Sequence, residues 1–180
     1  SLGGFGPGLV LVSWSLASLF MGRFMDSRGR ALGLRLAFTA GTAGTAVVYA
    51  GAHIESLAIF LIGLALVGMC AGTVNLARAG AADMYPPARR ARGISLVLSG
   101  AAVGAIISPL VFAPMLADVR GGSGDLATPW LAAGALLAAG IFVTFVIRVD
   151  PIQIAKAMAA AATGAEPARI APVRALQGLV

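Results

Sequence analysis

The sequence predicts an all-α membrane protein of five transmembrane helices, on three observations. Hydrophobic residues fill 59% of the 180 positions and charged residues only 11%. A soluble domain carries about 25% charged residues, so this chain could not clothe itself with a water-facing surface. Runs free of Asp, Glu, Lys, Arg and His cover Leu2–Gly22, Leu36–Ala52, Ser56–Ala77, Gly93–Ala117 and Leu126–Ile147. Each matches the roughly 17–25 residues a helix needs to cross a hydrocarbon core. Finally, twelve of the 13 basic residues lie in segments that alternating spans place on one side. Only helices and closed barrels satisfy their backbone in lipid, and these runs lack the alternation of barrel strands.

The elements follow in chain order. Residues 1–7 read as the end of an external loop, and the first span runs from about 8 to 22. It has no basic leader and is followed by arginines, unlike a signal peptide. The chain starts with Ser1 inside an apolar stretch, which suggests a piece of a longer protein. A turn, RFMDSRGR, leads into the second span, 36–52. The link around His53–Ser56 is short, so spans two and three (57–77) form an antiparallel hairpin, with His53 solvated in the turn. Pro86 and Pro87 stop any helix before the fourth span, 93–117. The glycine-rich external loop DVRGGSGDLATP precedes the fifth span, 126–147. Residues 1–148 thus form the helical bundle and 149–180 a cytoplasmic linker, with a short helix from Asp150-Pro151 to Ala162. Cys70 is the single cysteine, a small core residue inside the third span.

Charge placement sets the topology. Arg23, Arg28, Arg30 and Arg35 fall between spans one and two. Arg78, Arg89, Arg90 and Arg92 fall between three and four, and Arg148, Lys156, Arg169 and Arg174 follow five. Only Arg120 lies on the other side, beside Glu55, Asp118 and Asp125. By the positive-inside rule the basic side is cytoplasmic, with Ser1 outside and Val180 inside a plasma (inner) membrane. The net charge of +6 therefore serves topology and anionic lipid rather than nucleic acid. No phosphate loop, metal-ligand cluster or catalytic triad is present in the sequence, so neither an enzyme, a metal nor a cofactor is expected.

Three segments carry a resemblance. Gly22-Arg-Phe-Met-Asp26-Ser-Arg28-Gly29-Arg30-Ala-Leu-Gly-Leu34 resembles the signature loop G-x-L-x-D-R-x-G-R-R-x-x-L of the major facilitator superfamily. Gly22, Asp26, Gly29, Arg30 and Leu34 match; Phe24, Ser27 and Ala31 depart from it. Gly22 suits close helix approach and Gly29 a positive φ. A generic positive-inside turn with an incidental acid is the plainer alternative. The segment Arg78 to Gly93, with Asp83 before Tyr85-Pro86-Pro87 and then Arg89 and Arg90, resembles the family's link between helices four and five. Gly100-x-x-x-Gly104-x-x-x-Ser108-Pro109 resembles the family's antiporter motif, with Ser108 in place of a glycine. Helix packing through small residues accounts for it equally well.

The resemblance implies a partial N-terminal six-helix bundle covering helices two to six, with helix one and the C-terminal half of the same chain missing. It implies alternating access for a small-molecule substrate within the lipid bilayer. A conformational charge cluster of Asp26, Arg30 and Asp83, near Arg28, Arg89 and Arg90, would stabilise one state. Asp83 could equally be a solvated helix-end residue. Ser13, Ser15, Thr42, Thr45, Asn75, Arg78 and Ser99 are candidate cavity-lining residues. Many proton-coupled members carry an Arg midway along helix four, whereas Leu57–Thr73 has no basic residue. Asp26-Ser-Arg28-Gly29 is echoed by Asp118-Val-Arg120-Gly121, as inverted three-helix repeats would allow. The rival expectation is a non-transporting membrane sensor or scaffold that keeps the fold.

Overall fold

The computed structural model describes residues 4–83, 85, 89–117, 127–146 and 153, with residues 79, 82 and 83 described by backbone only. Among these, five helices follow one another: α1 (Phe5–Arg28), α2 (Arg30–His53), α3 (Leu57–Asp83), α4 (Arg90–Ala117) and α5 (Thr128–Val146). Each is long and apolar enough to cross a membrane. The expected segment 154–180, including most of the short helix after Asp150-Pro151, lies outside the described residues, as does the echo at Asp118–Gly121.

The helices overrun the apolar stretches that announced them. The turn RFMDSRGR is not a turn: α1 continues through it to Arg28 and α2 resumes at Arg30. Arg23, Asp26 and Arg28 end the hydrophobic run but do not break a helix, because Arg is a good helix former and Asp a tolerable one. Gly29 alone reverses the chain. Its φ of 105° belongs to glycine, and its N–H reaches Met25 O at 3.0 Å. Arg35, expected in the loop, consequently sits in the second turn of α2 and is buried. Similarly α3 runs on to Asp83 and α4 begins at Arg90.

The α2–α3 link is as short as expected and closes as a Schellman motif. Ser56 N donates to Gly51 O at 2.9 Å and Glu55 N to Ala52 O at 3.4 Å. Glu55 takes the left-handed position (φ 55°) that glycine usually fills.

Side by side the helices run α1, α3, α2, α5, with α4 leaning on the C-terminal end of α3. The seams are built from small residues. In lipid the apolar surface gives no preference for protein over tails, so close backbone contact decides the packing. On α2 and α3, a Cβ at Gly44 would lie 2.8 Å from Leu66 Cβ, and one at Gly63 2.6 Å from Val48 N. Cys70 fills the notch at Gly41. On α1 and α3, Gly72 lies directly on the Trp14 carbonyl, and Ser18 Oγ donates to Gly72 O at 3.2 Å. Gly134 seats α5 on Thr45 of α2. The large side chains Phe20, Ile106, Leu110 and Phe142 face outward, as lipid requires. Helix α4 is the exception to close packing, since only Gly93 at its start is buried.

Candidate functional site

The α1–α2 reversal brings charge to one end of three helices. Asp26 lies in the last turn of α1 and Arg30 opens α2, so Gly29 keeps them four residues apart across the bend. Arg30 Nη2 stands 3.9 Å from Asp26 Oδ1. The carboxylate side chain is 69% exposed and the guanidinium side chain 16%, so the pair alone is worth about 0–1 kcal/mol. Burial of Arg30 carries more information. Its side chain crosses α3 at Gly80, where a Cβ would stand 3.0 Å from Nη1 and 3.1 Å from Cδ. Glycine at 80 is what lets the guanidinium lie flat on α3, three residues before Asp83.

Beneath the pair, Met25 is buried and its side chain occupies the notch at Gly33. This contact locks the start of α2 against the end of α1. Next to it, Gly93 at the start of α4 lies directly on the Ala81 carbonyl and 2.8 Å (from a built Cβ) from the Tyr85 ring. Four helix ends therefore converge within one region.

The remaining candidates distribute as follows. Arg28 is exposed and its guanidinium stacks over Phe24 at 5.6 Å, and Arg78, Arg89 and Arg90 are exposed too. Gly22 does not mark a tight approach: a Cβ there would meet only Leu76 Cδ1 at 3.9 Å. The close α1–α3 approach falls instead at Gly68 and Gly72. Around Gly100 and Gly104 there is open space within 4 Å, so their small-residue face has no packing partner among the described residues. Pro109 lies inside α4 with Pro114 one turn and a half later. Thr45 is 2% exposed in the α2–α5 seam, its hydroxyl donating to Thr42 O at 2.8 Å. Thr42 in turn donates to Phe38 O at 2.8 Å. Ser13 is buried against Gly68, while Ser15 and Ser99 are exposed and bond to their own helices. Asn75 is half-buried. His53 is exposed and stacks on Tyr49 with ring centroids 5.9 Å apart. At the opposite end of the bundle, a cleft of about 790 Å³ opens between α1 and α3 under Trp130. Its only side-chain donors are the indoles of Trp14 and Trp130.

Sequence reasoning did not find Gly80, the Met25–Gly33 contact, the close α1–α3 approach at Gly68 and Gly72, or the burial of Arg35. A signal existed for one omission: Gly68-x-x-x-Gly72 has the same small-residue spacing as Gly100-x-x-x-Gly104. Nothing in the spacing said that the first pair is covered and the second is not.

Five membrane-length helices, the first two joined by a glycine reversal that carries an acid–base pair, define a multi-pass helical membrane protein. The chain belongs to the Major Facilitator Superfamily, whose family model matches residues 3–178. It is similar to a Bacillus subtilis (strain 168) protein described as the uncharacterized MFS-type transporter YdeG, 31% identical over 152 residues. It is also similar to the uncharacterized MFS-type transporter YddS of the same organism, 29% identical over 148 residues. Each alignment covers 81% of this chain but 34% of the relative, so the chain spans about a third of their length. No solved structure matches.

Proposed function

We propose that this chain is part of a secondary active transporter that moves a small organic solute across the plasma membrane by alternating access. Its helices α1–α5 correspond to helices two to six of the N-terminal half, and residues 149–180 lead toward the second half. The observation that carries the proposal is the Gly29 reversal, with Arg30 held between Asp26 and Gly80. An acid paired to a half-buried base at the ends of three helices is poised to respond to their relative movement. Asp83, three residues beyond Gly80, joins this cluster in the proposal.

The cluster biases an equilibrium rather than binding the solute. The Asp26 side chain is 69% exposed, which leaves it accessible to a partner beyond its own helix pair. In the full protein that partner is the N-terminal end of a helix from the second half, present only while the cytoplasmic side is closed. A carboxylate there gains about 0.3–1 kcal/mol from the helix dipole and up to about 2 when partly buried. The outward-open state is thereby favoured.

Topology provides the first test. In sealed cells an impermeant maleimide modifies a cysteine placed at Ser123 and leaves one at Ser27 unlabelled. Equal labelling of both would overturn the orientation, and with it the cytoplasmic placement of the cluster.

A further inference from the structure

Arg35 is the most deeply buried arginine among the described residues, 7% exposed, and the charge cluster does not use it. Its Nη2 donates to Thr144 O at 3.2 Å. Thr144 stands on α5, two residues before Val146. The guanidinium also lies 4.6 Å from the centroid of the Phe145 ring. Its Nε is buried without an acceptor. Among the described residues no carboxylate pairs with it.

A buried cation is costly, and an arginine near a helix end usually avoids that cost by extending its guanidinium to the interface, which Arg35 does not do. Topology does not need it, because exposed Arg23 and Arg28 already supply positive charge on this side. Packing of α5 does not need it either, since Gly134 on Thr45 and Gly140 on Phe38 already seat that helix on α2. What Arg35 adds is local to the end of α5. It bonds the Thr144 carbonyl of a neighbouring helix, stacks on the Phe145 ring and keeps a buried positive charge between α2 and α5. A planar fork serves all three at once, which a lysine does not.

We propose that Arg35 is a positioning residue that ties the cytoplasmic end of α5 to the signature turn, so that a change of state at Asp26 and Arg30 reaches the chain leaving α5. Arg35 follows Arg30 by five residues on the same helix, about 7.5 Å along its axis. A stiff α2 therefore moves both together.

This inference rests on the charge-cluster reading, and the test separates the two. In the full-length protein with Cys70→Ala, single cysteines are placed at Ser27, beside the cluster, and at Val146, the last residue of α5. Both native side chains are exposed. Maleimide labelling rates are compared for Asp26 and Asp26→Asn, each with Arg35, Arg35→Lys or Arg35→Gln. With Arg35 present, Asp26→Asn changes both rates by about three-fold or more. With Arg35→Gln the change survives at 27 and is lost at 146, and Arg35→Lys is intermediate. Where Arg35→Gln fails to reach the membrane, Phe145→Leu replaces it, with the response at 146 reduced. If Asp26→Asn moves position 146 equally in all backgrounds, or moves only position 27 when Arg35 is intact, the coupling is wrong and the cluster reading stands. If it moves neither position, the cluster reading is wrong and the coupling falls with it.

Discussion

Glycine 80 shows how little one residue needs to do to shape a charge site. Its missing Cβ leaves α3 open at the point where the Arg30 side chain lies against it. Alanine there meets the flexible end of Arg30 at 3.0 Å, which a small rotation relieves. Leucine would expel the side chain toward water and separate it from Asp26. Gly80→Leu should therefore reproduce the loss of cluster function while the protein still inserts. The check is labelling of a cysteine at Ser27 in the full protein: a rate like that of Asp26→Asn is expected. None of this was readable from the signature loop, because Gly80 belongs to a different helix and its role exists only after α2 and α3 have paired.

At the scale of the element, helix identity was legible and helix ends were not. Hydrophobic runs report where lipid begins and ends, whereas α1 and α2 extend through Arg23, Asp26, Arg28 and Arg35 into the interface. That is why Arg35 read as a loop residue and appeared as a buried clamp. Seams show the same division. Gly22, Gly72 and Gly104 look alike in sequence, yet a Cβ would touch Leu76 at 3.9 Å at the first, strike the Trp14 carbonyl at the second and meet nothing at the third. Their substitutions should separate accordingly. Gly72→Ala should destabilise the full protein by about 1–3 kcal/mol, the usual cost of overpacking. Gly22→Ala should be neutral or stabilising by up to about 1 kcal/mol, since alanine restrains the unfolded chain. Thermal unfolding in detergent distinguishes them, and equal midpoints would mean that the α1–α3 seam is not at Gly72. Gly104→Leu should lower the midpoint too, provided a further helix covers α4.

For the molecule as a whole, the packing is lopsided in an informative way. Helix α3 is clasped by α1 on one side and α2 on the other, while α4 stands almost bare along its length. A polytopic membrane protein rarely leaves a small-residue face with two internal prolines to lipid, because such faces serve close helix contact. The chain also spans only about a third of its relatives' length. In the proposed alternating access, the ends of α1, α2 and α3 that carry Asp26 and Arg30 are the moving parts, with Asp26 reporting closure. Asn75 is suited to read that state, being half-buried on α3 one turn before Arg78. The decisive measurement is labelling of a cysteine at Asn75, from the cytoplasmic side of inside-out vesicles, in the full-length Cys70→Ala protein. Asp26→Asn should raise the labelling rate by a factor of roughly 2–30, the equivalent of the lost carboxylate–dipole energy. An unchanged rate in a correctly inserted protein would contradict the mechanism and make the Asp26–Arg30 pair a passive surface feature.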